Sequence, residues 1–153
     1  MGEYGINQSI PRFEDPKLLT GGGDFIDDDN AHGQLHGVVV RSPHAHADIA
    51  GIDASAALAS EGVVAVFTGR DYTDAGWGTI PHIGPPVKRR GGANFILPDF
   101  YPLAVDRVRM VGEGVAFVIA ETATRAKDAA DLVMVDYDPL PGSADTASAL
   151  DDD

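Results

Sequence analysis

Cysteine is absent from this 153-residue chain, which excludes disulfides, thiol chemistry and cysteine-held metal or iron–sulfur sites. Basic residues are scarce: 11 Lys and Arg stand against 24 Asp and Glu, a formal net charge of −13. A field of that sign repels phosphate, so neither nucleic acid nor an anionic membrane surface is an expected partner. No apolar run approaches the roughly 20 residues that a membrane-spanning helix needs. Met1 to Ile10 shows neither a basic n-region nor an apolar h-region, so no secretory leader is expected, and a cytoplasmic location is. What is present is ordinary globular material, 44% hydrophobic and 23% charged, which argues against wholesale disorder. The length suits a single core, since a domain of this size hides about 68–70% of its unfolded surface.

The chain divides by composition into an irregular segment over 1–33, one domain over 34–141, and an acidic tail over 142–153. Pro11, Pro16, Gly21-Gly22-Gly23 and Asp27-Asp28-Asp29-Asn30 punctuate the first segment. A strand rich in β-formers is expected from Gln34, ending near Ser42-Pro43. Asp53 is the expected N-cap of a helix from Ala54 to Ser60, stopped by Gly62, and Val63 to Phe67 is the next strand. Residues 71–102, with Trp77 and much Gly and Pro, read as a long loop. Val108, Met110 and Val111 predict a short strand, turned by Gly112-Glu113-Gly114. Val115 to Ala120 is apolar enough for the centre of a sheet. Thr122 caps a helix through Asp131, and Val133, Val135 and Tyr137 alternate with polar neighbours as a half-buried strand does. Two strand–helix–strand units result, about 34–67 and 115–137. The expected core includes Leu58, Val64, Val66, Val115, Phe117, Ile119, Ala126, Ala130, Val133 and Val135. The fold class is α+β, with a mixed sheet and two main helices.

Chemistry-bearing patterns are sparse. Gly21-Gly22-Gly23 lacks a following Gly-Lys-Ser and reads as a turn rather than a phosphate cradle. His44-Ala45-His46 has metal-strand spacing, yet no third ligand is specified, so no metal is expected there. Ser42 and His44 lack the strained elbow of a nucleophilic serine. Glu113, between two glycines, is either a base on a mobile turn or a solvated side chain, and the latter is preferred. Asp27 to Asp29 lacks a calcium loop's twelfth-position glutamate. Lys88-Arg89-Arg90 reads as a solvated loop, or as a local docking patch for an acidic surface.

Several separated segments carry a family resemblance. They are Arg12-Phe13-Glu14-Asp15-Pro16-Lys17-Leu18-Leu19-Thr20-Gly21, Phe25-Ile26-Asp27-Asp28, and Val40-Arg41-Ser42-Pro43-His44-Ala45-His46-Ala47. Further on come Ile52-Asp53, Gly62-Val63-Val64-Ala65-Val66, Val108-Arg109-Met110-Val111-Gly112-Glu113, Val115-Ala116, Ala129-Ala130 and Val135-Asp136-Tyr137-Asp138-Pro139-Leu140-Pro141. In this order the chain resembles the N-terminal part of the molybdenum-binding large subunit of the xanthine dehydrogenase, aldehyde oxidase and carbon monoxide dehydrogenase group. Gly114 departs from the proline that often follows Gly-Glu in that family, which implies a more flexible turn.

The resemblance implies an α/β-hammerhead domain. The assembled enzymes oxidise aldehydes, N-heterocycles or carbon monoxide, using molybdopterin, iron–sulfur clusters and FAD. The family's pterin-holding residues and catalytic glutamate lie downstream of this domain. No catalytic, cofactor-binding or metal residue is therefore carried over to this chain, and no cofactor is expected within it. The expected partners are the downstream molybdopterin-binding domains or chain and the iron–sulfur and FAD subunits, with self-association through surface those domains would cover. Arg41, His44, His46 and Glu113 are the candidate inter-domain or subunit contacts. The competing readings are a free-standing protein-interaction domain without enzymatic association, and a metal enzyme built on the histidine pair.

Overall fold

The computed structural model describes residues 11–81, 88, 91–92, 98–143 and 145–147. The chain forms two compact units, Met1–Gln34 and Leu35–Asp153. The first unit is not wholly irregular, because Asp15-Pro16 is a helix start. Helix α1 spans Asp15–Leu19, with Pro16 in its first turn and the Asp15 carboxylate accepting the Arg12 N–H at 2.8 Å. Gly21 ends it at φ +74°, and the Gly22 N–H reaches the Lys17 carbonyl, so the glycine run is a turn. Ile26–Asp28 makes one 3₁₀ turn, whose Asp28 carboxylate accepts the Phe25 N–H at 3.1 Å.

The second unit contains β1 (His36–Arg41), β2 (Ala47–Asp53), α2 (Ser55–Leu58), β3 (Val63–Thr68) and α3 (Gly69–Asp74), followed by β4 (Arg107–Val108), β5 (Gly114–Ala120), α4 (Ala123–Ala130) and β6 (Met134–Pro139). The class is α+β as expected, but the single mixed sheet is replaced by two three-stranded antiparallel sheets, β1-β5-β3 and β4-β2-β6. The strands flanking each helix lie in different sheets, β2 and β3 around α2 and β5 and β6 around α4, and the expected unit over 34–67 holds an extra strand, its outer strands β1 and β3 being the two edges of one sheet. The order β1-β2-α2-β3 recurs as β4-β5-α4-β6. Exchanging the two halves maps β1·β5 onto β4·β2 and β3·β5 onto β6·β2. The fold is therefore a swapped internal duplication, in which each half's second strand is the centre of a sheet edged by the other half's strands.

Strand β5 is central as its apolar sequence predicts, with Val115, Ala116, Val118 and Ala120 fully buried. Helix α4 begins where the Thr122 hydroxyl accepts the Arg125 N–H, and it lays Ala126 and Ala129 on the core. Two apolar clusters form, one around Ala47, Ile49, Val108 and Val115, the other around Ala57, Ala116, Val118, Ala129 and Val133. Val40, Ile52 and Val135 pack against both and join them.

Several local expectations are corrected. The segment after Pro43 forms β2 before any helix, and α2 is a single turn, so Ala57 alone is buried there and Leu58 is 53% exposed. Val64 is exposed because the β3–β5 register slips between Val63 and Ala65, turning its side chain outward. Val115, Ala126 and Val133 are buried, whereas Val66, Phe117, Ile119, Ala130 and Val135 are half-buried. The loop expected from Asp71 is helical to Asp74, since Thr68 and Asp71 make a capping box. Met110 and Val111 lie beyond β4 and are exposed. Arg89, Arg90 and the tail from 148 lie outside the described residues.

Candidate functional site

The four candidate contact residues converge on one corner of the second unit. Antiparallel pairing of β1 with β5 brings the turn after Arg41 against the turn before Gly114. The Ser42 N–H donates to the Glu113 carbonyl at 2.9 Å, and the Gly112 N–H donates to the Ser42 carbonyl at 2.8 Å. Arg41 Nη1 donates to the Gly112 carbonyl at 2.7 Å. The Glu113 carboxylate accepts the Arg109 N–H at 2.6 Å, so it is not the merely solvated side chain expected. Gly112 holds φ +87° at the turn. Gly114 is not part of that turn: it opens β5 opposite Arg41, and its carbonyl accepts the Ala104 N–H at 2.8 Å.

Ser42 is buried, its hydroxyl accepting the His44 N–H at 3.0 Å. The His44 ring lies 4.9 Å from that of Tyr137. His46 Nδ1 lies 2.7 Å from the Pro141 carbonyl, which can only accept, so this nitrogen carries the proton. The Leu140 N–H bonds back to the His46 carbonyl. Burial pushes the Tyr137 phenol up, against an opposing hydrogen bond with Ser42. Each histidine thus meets the end of β6 rather than a partner histidine. Among the described residues, no three His, Cys, Asp or Glu side chains converge.

Beside this corner Arg107 grips Asp48 with two N–H groups, at 2.5 and 3.1 Å. The Arg107 hydrogen bond holds the Asp48 carboxyl below the usual range, helped by the charges of Arg107, His46 and Arg109. A polar recess of about 480 Å³ lies between His46, Arg107, Arg109 and Pro141.

Three segments of the sequence resemblance meet here, and comparison with known proteins agrees with it. Residues 20–141 match the family described as aldehyde oxidase and xanthine dehydrogenase, a/b hammerhead domain. The chain belongs to this family. The hammerhead domain is 43% identical over 135 residues to the nicotine 6-hydroxylase large subunit of Paenarthrobacter nicotinovorans, covering 88% of this chain and 16% of that one. It is 37% identical to the carbon monoxide dehydrogenase large chain of Afipia carboxidovorans, covering 97% and 17%. The solved quinoline 2-oxidoreductase of Pseudomonas putida 86 superposes with a TM-score of 0.76 at 38% identity, covering 95% of this chain and 18% of that one. The hammerhead domain thus spans about a sixth of the curated relatives it matches.

Another solved relative is a copper- and molybdenum-containing carbon monoxide dehydrogenase. Every buried side-chain nitrogen and oxygen among the described residues of the present chain already has a hydrogen-bond partner, so none of them is an orphan that a pterin would satisfy. Sequence reasoning also missed an apolar groove of about 400 Å³ beside α3, lined by Val39, Phe67, Tyr72, Trp77, Leu103 and Phe117. Its only advance sign was aromatic residues in a stretch without periodicity.

Proposed function

We propose that this chain is the hammerhead part of a molybdenum-hydroxylase-type oxidoreductase, acting as scaffold and domain contact and not as the holder of the reacting groups. The assembled enzyme oxidises an aldehyde, an N-heterocycle or carbon monoxide, with molybdopterin, iron–sulfur clusters and FAD held elsewhere, in the cytoplasm. The observation that carries the reading is the corner, where three separated family segments are knitted by hydrogen bonds while the polar groups of Arg41, His44, His46 and Glu113 are only partly used. Arg41 spends one guanidinium nitrogen on Gly112 and His46 its Nδ1–H on Pro141, leaving guanidinium donors and an acceptor ring nitrogen for the larger domains. These four residues contact the molybdopterin-binding region or a neighbouring subunit. In this reading the chain contributes position, since a cofactor acts only where protein orients it.

The test is to purify the chain alone, measure its molybdenum, and assay it with aldehyde or purine and an artificial electron acceptor. A folded, colourless, inactive protein supports the reading. Turnover with bound molybdenum overturns it.

A further inference from the structure

We infer that the apolar groove beside α3 is the seat of an apolar segment from the larger remainder of the large subunit. This rests on the hammerhead reading and deepens it by naming the surface and its occupant. Val39, Phe117 and Phe67 are register partners across β1, β5 and β3, so their side chains form one row across the sheet. Phe117 alternates with Ala116 and Val118, which pack into the cluster shared with α4, so the row occupies the opposite face. The groove's walls are fixed before anything binds. Tyr72 sits edge-on to Trp77 at 5.1 Å, and its hydroxyl bonds the Gly78 carbonyl at 3.0 Å. Leu103 is held by the neighbouring bond from Ala104 to the Gly114 carbonyl. Such preorganisation lowers the ordering cost of docking.

Phe67 remains 46% exposed and Trp77 62% exposed, which is costly for a monomer in water and normal for an interface. The occupant follows from charge and from the relatives. The lining has one carboxylate, Asp71, and no cation, on a chain of net charge −13. A second copy would bring the same acidic face and the same net charge, so self-association is opposed. A neutral or basic apolar segment is favoured. In the relatives a domain like this makes up 16–18% of the chain, so the remaining polypeptide is the surface it meets at highest effective concentration.

The experiment places residues 20–141 of this chain into the nicotine 6-hydroxylase large subunit in place of its own hammerhead domain. Hydroxyl-radical footprinting then reads Trp77 and Phe67 in this chimera and in the isolated chain. A covered groove packs like a protein interior, so oxidation at both residues should drop by about fivefold or more in the chimera. A chimera that holds molybdenum while both residues stay as reactive as in the isolated chain overturns the groove assignment and leaves the hammerhead reading standing. A folded chimera without molybdenum, where the unswapped subunit holds it, overturns the reading and the assignment together. Protection that appears in the isolated chain with rising concentration, alongside a dimer mass, makes the occupant a second copy and overturns the proposal.

Discussion

Gly69 lies directly against the backbone of Ala104: a β-carbon at Gly69 would come within 2.7 Å of the Ala104 carbonyl carbon and 2.9 Å of the Leu103 oxygen. Gly69 is buried and opens α3, so this contact ties the helix beside the groove to the segment forming its opposite wall. Backbone atoms cannot swing aside as a flexible side chain can. Gly69→Ala should therefore destabilise by about 1–3 kcal/mol, as overpacking does. Gly78→Ala, with nothing within 4 Å of the added carbon, should change little. Urea unfolding of both variants checks the contrast.

Burial ranks the core substitutions differently from hydrophobicity. Val118 is fully enclosed between strands and α4, whereas Leu58 lies on the outward side of a one-turn helix. Val118→Ala should cost about 1.5–3 kcal/mol. Leu58→Ala, which a fully buried leucine would make the larger change, should stay within about 1 kcal/mol. Equal costs in chemical denaturation would show that α2 packs differently in solution.

The second half of the fold was legible because its signals agree. Thr122 caps, Val115 to Ala120 is continuously apolar, and Val133, Val135 and Tyr137 alternate, so propensity and pattern give one answer. Strand β2 was not legible. Ala47-Asp48-Ile49-Ala50-Gly51-Ile52-Asp53 is rich in residues depleted from strands, and only its central place in a sheet selects the extended form. Helix α3 was hidden because its first residue, Gly69, looks like a terminator, although Thr68 and Asp71 carry the capping box. The corner residues were each named from the sequence, but their meeting was not. Arg41 and Gly112 are 71 residues apart, and their contact depends on a cross-sheet pairing that local patterns do not specify.

Three carboxylates contribute stability that is lost in acid. Hydrogen bonds from Arg107, Ser55 and Thr68 hold Asp48, Asp53 and Asp71, respectively, below their ordinary value of 3.8. The folded state then binds fewer protons than the unfolded state as pH approaches that value from above, so stability falls with falling pH. The contribution is complete above the ordinary value and lost as pH drops through the lower folded values. Melting temperatures measured from about pH 5 down to about pH 2 should decline, and Asp48→Asn should flatten part of that decline. An unchanged slope in Asp48→Asn would show that the Arg107 fork does not persist in solution.

Ser42 makes the corner testable apart from its partners. Its hydroxyl satisfies the His44 N–H, and its interaction with Tyr137 opposes the upward push that burial gives the phenol. Ser42→Ala leaves the His44 N–H short of a partner and should cost about 1–3 kcal/mol. It also removes the interaction that pulls the Tyr137 pKa back down. The phenol should then titrate still higher, visible as a delayed tyrosinate absorbance in one of the four tyrosines. A phenol pKa raised in the folded state gives stability that is present below the ordinary value of 10.0 and lost as pH rises through the folded value. The variant should consequently lose stability more steeply on the alkaline side than the parent chain. A Tyr137 titration unmoved by Ser42→Ala would mean that this hydroxyl does not bind the phenol.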